Sequence, residues 1–434
     1  MIPDTQQAET IARLKEMPRA ILRAPVGAGK TLIAAKVAEW WIKQGGRVLY
    51  VSTPTIAYQE APRQFKGLIP DARVKTLDVG RYDRNLRAEK WYSGETDILF
   101  SSIQVADELL YPYIDEKTMI ILDESTLAKR LKGVWQSRLQ GASDRAGRTL
   151  IMSGTITSNG LDQVYGQAAV ALGSDLLIKT LGYRAGWLKR HFNSYKEKIG
   201  LRRYITRYRP KVDAVKRVAE ELAEYTIAID TNEHYTPPPI HLEIHWTKRV
   251  SAPEFGFPSS IRNVPWKSQQ INFGIVYIKG KPVFLHDHRI QPILDLIDEL
   301  NRPVIYVTKY IHEMEEIKKR LKERGKRVKT HKDENWIDAW NNGKIDVLIV
   351  HPRSCGHGVN LQHGGNTMIW GMPTSDWEAW EQTVGRLARR GQKADHVDVH
   401  VFATKGSKDQ TYINRLQERA AKESKFVIEL KEAQ

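Results

Sequence analysis

Ala24-Pro25-Val26-Gly27-Ala28-Gly29-Lys30-Thr31 is the stretch on which the reading of this chain turns. A short apolar run, residues 20–23, leads into it. A helix-forming stretch, residues 31–44, leads out and is stopped by Gly45-Gly46. Glycines in a strand-to-helix turn let backbone N–H groups approach phosphate oxygens closely, and the helix start adds partial positive charge at the same place. Lys30 is then suited to neutralise β- and γ-phosphates, and the Thr31 hydroxyl to ligate Mg2+. Gly27, Ala28, Gly29, Lys30 and Thr31 are the candidate nucleotide-binding residues, although Ala24 stands where the strict eight-residue pattern has glycine.

Outward from this turn, apolar runs at residues 47–52, 97–102, 119–124 and 149–154 alternate with helical stretches. They are rich in Ile, Leu and Val, as strands covered on both faces must be. Alternating strand and helix predicts a doubly wound α/β domain with a mostly parallel sheet, which binds ligands at the carboxyl edge of its strands. Asp123-Glu124-Ser125-Thr126 stands at that edge. Asp123 is the candidate Mg2+ ligand, and Glu124 the group that orients or deprotonates the attacking water. Ser153-Gly154-Thr155, Ser52-Thr53-Pro54 and Ser101-Ser102 close other strands, but such triplets are also ordinary turns.

The last third repeats the rhythm, with strand candidates at 304–308, 327–331, 346–351, 367–371 and 397–403. Ile311, Met314, Ile317 and Leu321 mark a helix stripe between the first two. A second α/β domain is therefore expected. Near its end lies Gln382-Thr383-Val384-Gly385-Arg386-Leu387-Ala388-Arg389-Arg390-Gly391-Gln392. On a helix, Arg386 and Arg389 share a face, with Gln382 one turn earlier. A guanidinium stabilises charge on a transferred phosphoryl group, an effect worth about 10³ to 10⁵ in rate. The glycine-rich run from Ser354 to Gln362 offers close backbone approach to a nucleotide or a nucleic-acid phosphate. Trp336 and Trp340 read as core packing, and His286 with His288 as ordinary surface histidines.

The middle differs. Residues 183–211 are crowded with Arg, Lys and Tyr, including Arg184, Lys189, Arg190, Arg202, Arg203, Arg207 and Arg209. That set either tracks a phosphate backbone or forms a solvated face. Pro237-Pro238-Pro239 interrupts regular structure beyond it. The expected organisation is residues 1–175 as the first domain, 176–285 as a basic, mostly helical insertion and linker, and 286–434 as the second domain.

Composition agrees with that division. A chain of 434 residues, 41% hydrophobic, has enough apolar side chains for two or three cores. The formal net charge of +16 favours a polyanionic partner, nucleic acid first. A single cysteine, Cys355, excludes an intramolecular disulfide. No apolar run approaches the roughly 20 residues that span a bilayer. The opening residues lack signal-peptide character, so a cytoplasmic location is expected.

Taken together, these strings resemble superfamily 2 helicases, and within them the Swi/Snf-type ATPases. Ala24 to Thr31 is similar to motif I, Ser52 to Pro54 to motif Ia, Asp123 to Thr126 to motif II and Ser153 to Thr155 to motif III. Val304 to Tyr310 resembles motif IV, Gly356 to Gln362 motif V, and Gln382 to Gln392 motif VI. Residues 3–7 resemble the adenine-reading glutamine motif, with Gln6 and Gln7 both candidates. The small size and phrases such as Trp340-Asn341-Asn342-Gly343-Lys344 resemble bacteriophage-encoded members.

The resemblance implies two RecA-like P-loop domains, ATP with Mg2+, and an ATP hydrolase that moves on duplex or branched DNA. The alternatives are, within enzymes, a strand-separating DNA or RNA helicase and, in another class, a nucleotide-gated DNA-binding clamp or loader that does not move. It adds Gly358 and Gln382 to the nucleotide contacts. It also implies Ser52, Thr53, Ser101, Arg202, Arg203, Lys309, Ser354 and Asn360 as nucleic-acid contacts. A monomer working beside replication or recombination proteins is the implied setting. Two departures stand out: motif II reads DEST, and Ile156 occupies the place of the proline usual after motif III.

Overall fold

The computed structural model describes residues 2–110, 113–123, 134–157, 160–198, 204–229, 236–250, 254, 256, 265–355 and 359–433. The chain divides into two compact units, one of residues 1–234 with 420–434, the other of residues 235–419.

In chain order the strands are β1 (Arg19–Arg23), β2 (Arg47–Ser52), β3 (Val74–Thr76), β4 (Ile98–Ser102), β5 (Thr118–Asp123), β6 (Arg148–Ser153), β7 (Phe192–Lys198), β8 (Tyr204–Pro210) and β9 (Thr226–Ala228) in the first unit. The second unit holds β10 (Ile240–Thr247), β11 (Ile275–Ile278), β12 (Lys281–Phe284), β13 (Val304–Val307), β14 (Val328–Thr330), β15 (Val347–Val350), β16 (Thr367–Trp370) and β17 (Val397–Thr404).

The first unit is built on a seven-stranded parallel sheet of order β3-β4-β2-β5-β6-β1-β9. Successive side chains of a strand point to opposite faces, and the core follows that alternation. Leu49 and Val51 of β2 pack in one apolar cluster, and Val48 and Tyr50 in the other. Both faces are covered, which is why these runs read as continuously apolar. The helix Lys30–Lys43 covers one face and ends before Gly45, whose φ of 80° suits glycine. On the opposite face Phe426 and Leu430, from the helix Lys408–Glu432, complete the cluster around Trp187 and Val218. Burying each stabilises the unit by about 1.5–3 kcal/mol.

The second unit carries a six-stranded parallel sheet of order β10-β17-β16-β13-β15-β14. Its alternation is the same, with Ile305 and Val307 on one face and Val304 and Tyr306 on the other. Trp340 is fully buried there and donates to the Leu361 carbonyl at 2.7 Å, as core packing requires.

The expectation of two parallel-sheet α/β domains is met. Within the region expected to be mostly helical, residues 192–198 and 204–210 instead pair as the antiparallel strands β7 and β8. Tyr195, Ile205 and Tyr208 are residues that favour extended backbone, and they outweigh the Lys and Arg between them. Residues 176–234 fall in the first unit and 235–285 in the second.

Candidate nucleotide site and nucleic-acid contacts

The glycine turn after β1 has the shape a phosphate needs. Gly27 and Gly29 take φ of 89° and 84°, a region L side chains rarely adopt. Gly29 is the N-cap of the helix Lys30–Lys43, and no side chain caps it. A helix start without a side-chain cap offers its first-turn N–H groups to an anion. A Cβ on Gly29 would stand 2.4 Å from Nε2 of Gln7. Lys30 is folded over its own loop, donating from Nζ to the Ala24 and Pro25 carbonyls at 2.6 and 3.3 Å.

Gln7 rather than Gln6 is built into the loop. It is buried, donates from Nε2 to the Ala28 carbonyl at 3.1 Å, and accepts from the Asp4 N–H at 3.1 Å. Asp4 in turn accepts from the Gln7 N–H at 2.9 Å, a reciprocal cap that starts the helix Thr5–Glu16. Gln6 is half-buried.

Asp123 ends β5 two strands from β1 in the sheet. Its Oδ2 accepts from the Tyr50 hydroxyl at 2.6 Å, and its backbone carbonyl accepts from Ser52 Oγ at 3.0 Å. Tyr50 is fully buried, its ring 5.3 Å from Phe65 and 5.1 Å from Phe100, so the phenol is a fixed donor beneath the carboxylate. Glycine turn, uncapped helix start, Lys30, Thr31 and Asp123 are a donor set that fits a nucleotide with Mg2+. Glu124, Ser125 and Thr126 lie outside the described residues.

Next to this set, the turn after β6 is held by a residue that no motif announced. Glu423 is 3% exposed. Its carboxylate accepts from the Ile156 N–H at 3.0 Å, the Thr157 N–H at 2.8 Å and the Thr157 hydroxyl at 2.5 Å. Arg23 Nε lies 3.9 Å from it. The Ile156 carbonyl accepts from Gln167 at 2.7 Å, and Ser153 Oγ donates to the Thr155 carbonyl at 2.6 Å. Ile156 stands where the resembled family carries proline, and proline has no N–H to give. That departure supplies one of the three donors that Glu423 accepts. In the sequence Glu423 is one of several acids in an amphipathic tail, beside Glu418, Glu429 and Glu432, and nothing local distinguishes it.

Three of the expected nucleic-acid contacts sit otherwise than expected. Ser52 and Ser101 are fully buried, with Ser52 Oγ donating to the Asp123 carbonyl and Ser101 Oγ to the Ser102 carbonyl. Strand-end hydroxyls in a sheet covered on both faces bond inward. Lys309 also points inward, donating to Gln269 Oε1 at 2.5 Å beside the Tyr310 and Tyr412 rings. Burial pushes its ammonium pKa down, against the pull of Asp409 and Glu313. Thr53 is half-buried, and Ser354 and Asn360 are exposed. Arg202, Arg203 and Gly358 lie outside the described residues.

In the second unit the helix expected to carry both arginines, Trp377–Val384, ends before them. Its C-cap is Gly385, and 3-residue turns follow, with the Arg386 N–H on the Thr383 carbonyl at 3.1 Å. The two guanidinium groups converge all the same: Arg386 and Arg389 donate to the Val359 carbonyl at 3.4 and 3.3 Å. Gln382 donates to Glu378 at 3.5 Å. His286, expected at the surface, is buried, its Nε2 2.8 Å from the Ile271 carbonyl and its ring stacked on His288.

Against known proteins, residues 4–164 match the sequence profile of the DEAD/DEAH box helicase family. Protein p41 of Acyrthosiphon pisum secondary endosymbiont phage 1 is 27% identical over 334 residues, 70% of each chain. This agrees with the phage resemblance. Among solved structures, the Sulfolobus solfataricus SWI2/SNF2 ATPase core in complex with dsDNA aligns over 98% of this chain and 92% of its own. That alignment has 13% identity and a TM-score of 0.47. Residues 4–164 are thus a DEAD/DEAH box helicase domain, the domain of an ATP-hydrolysing enzyme. No helix among the described residues is long and apolar enough to cross a membrane.

Proposed function

We propose that this chain, whose first unit contains a DEAD/DEAH box helicase domain, is an ATP-driven motor that moves along duplex or branched DNA. The observation that carries the reading is the uncapped helix start behind Gly27 and Gly29, with Asp123 fixed on Tyr50 at the same sheet edge. Gly27, Ala28 and Gly29 give backbone N–H groups to phosphate oxygens, and Lys30 leaves the Ala24 and Pro25 carbonyls to neutralise the phosphates. Thr31 and Asp123 hold Mg2+, whose charge offsets that on the phosphates. Gln7, fixed to the loop by its Ala28 bond, reads the base edge; Gly358 and Gln382 complete the nucleotide contacts. Glu124 orients the attacking water. Arg386 and Arg389 are assigned the charge that develops on the transferred phosphoryl group.

Two features support a nucleic-acid track. The net charge is +16, and strands β7 and β8 expose Lys196, Lys198 and Arg209 beside exposed Tyr195 and Tyr204. Basic side chains meet phosphates and aromatic rings meet bases. Thr53, Ser354, Asn360, Arg202 and Arg203 are assigned as further contacts. The reading is tested by displacement of a triplex-forming strand from duplex DNA. ATP-dependent displacement by the wild-type chain is expected. ATP turnover without displacement on any duplex or forked substrate would remove translocation from it. ATP-dependent DNA binding without turnover would leave a clamp.

A further inference from the structure

The edge of the second sheet carries a pattern outside the nucleotide chemistry. Strand β10 reads His241-Leu242-Glu243-Ile244-His245, and the approach to and start of β17 read His396-Val397-Asp398-Val399-His400-Val401-Phe402. The strands pair in parallel, with His241 opposite Asp398, Glu243 opposite His400 and His245 opposite Phe402. Alternation puts His241, Glu243 and His245 on one face of β10, and the register puts Asp398, His400 and Phe402 beside them. Three imidazoles and two carboxylates of the paired strands thus line one face of an edge.

We propose that Glu243, His245 and His400 form a binding site for a divalent transition-metal ion of the zinc class. His245 Nε2 lies 3.0 Å from His400 Nδ1, His400 Nδ1 3.3 Å from Glu243 Oε2, and His245 Nε2 3.8 Å from Glu243 Oε1. One donor atom from each residue lies within 4.8 Å of the others. Metal–ligand bonds of about 2.0–2.2 Å place neighbouring ligands roughly 2.9 Å apart in an octahedral shell and 3.4 Å in a tetrahedral one. The three donors therefore already stand near the edges of such a polyhedron.

The rings are held for the task. His245 stacks on Phe402 at 4.7 Å and 14°, which fixes its plane. His400 is 7% exposed with Nε2 buried, so Nδ1 is the nitrogen it presents. Two imidazoles and one carboxylate suit Zn2+, Co2+ or Ni2+ rather than Mg2+ or Ca2+, and leave further positions for water. The neighbouring trio His241, His396 and Asp398 is less suited. Its two rings stack at 4.4 Å and 20°, which keeps their in-plane lone pairs from converging, and Asp398 binds Arg302 at 2.7 Å. An ion at Glu243, His245 and His400 would tie the exposed strand β10 to β17 by side chains, in addition to the ladder.

The test is Co2+ titration of the untagged, chelator-treated full chain in excess Mg2+, followed by visible absorption and by competition with Zn2+. One Co2+ per chain is expected, with a rise in unfolding temperature. His245→Ala and Glu243→Gln should each weaken binding more than tenfold, since loss of even an outer-shell partner costs that much. His241→Ala should leave binding unchanged. Glu243 is 63% exposed in its side chain, so Glu243→Gln leaves the packing intact and decides the matter if His245→Ala does not fold. Absence of a Co2+ band at micromolar metal, binding that survives Glu243→Gln, or binding abolished only by His241→Ala would each overturn the assignment.

Discussion

Glu423→Ala is the most informative single change outside the motifs. In the wild-type chain one carboxylate accepts from two backbone N–H groups and one hydroxyl, at 3.0, 2.8 and 2.5 Å, in a place where Glu423, Ile156 and Thr157 are 3%, 1% and 7% exposed. Removing it leaves three buried donors without that acceptor, each costing about 1–3 kcal/mol if nothing replaces it. Two effects oppose this. The carboxylate no longer has to be desolvated, and the space it leaves admits water. A net loss of about 3 kcal/mol follows, in line with breaking other buried charged contacts. Urea unfolding should show it directly. Hydrogen exchange resolved at the Ile156 and Thr157 amides should show protection falling by a factor of about 10². Glu423→Gln, which keeps one acceptor oxygen, should lie between. A loss under about 0.5 kcal/mol with protection unchanged would refute the claim that this carboxylate holds the turn after β6.

Four further outcomes are expected. Ile156→Pro removes one of the donors, so its cost combined with Glu423→Ala should fall short of the sum of the two singly, measured by a double-mutant cycle; additive costs would speak against a direct bond. Tyr50→Phe should keep the fold, because the ring still packs on Phe65 and Phe100, but should raise several-fold the Mg2+ needed for half-maximal ATP hydrolysis; an unchanged Mg2+ dependence would sever Tyr50 from the metal site. Arg386→Ala should lower kcat by about 10³ with KM little altered; a change in KM alone would assign the residue to ground-state binding. Burial lowers the pKa of His286 and of His331, so both are neutral when folded and bind protons more readily when unfolded. The stability this confers is present above their unfolded value of about 6.5 and is lost as pH falls towards their folded values. The urea midpoint should therefore drop between neutral pH and mildly acidic pH, less so in His286→Gln.

Local signals carried the two sheets. Strands such as β2 and β13 are apolar on both faces, and the helices between them keep a 3.6-residue stripe, so neighbouring residues suffice to recognise them. The glycine turn was legible for the same reason, since its chemistry lies within eight consecutive residues. What escaped depends on residues far apart. Glu423 meets Ile156 across 267 positions, and no periodicity encodes that meeting. β10 joins the second sheet only through its register with β17, more than 150 residues on, and its alternating exposed side chains resemble a linker when read alone. The inward turn of Lys309 was hidden because Gln269 and Asp409 approach it from separate segments. The β7–β8 pair was masked by its charge: Lys and Arg disfavour strands only weakly, and Phe192, Tyr195, Ile205 and Tyr208 decide.

Steady-state ATP hydrolysis by the full chain, with and without duplex DNA at one fixed salt concentration, tests the account at its root. The wild-type chain should hydrolyse ATP faster when DNA is present, and Lys30→Ala should abolish both rates. Hydrolysis that persists in Lys30→Ala, or a wild-type rate that DNA leaves unchanged, would contradict it.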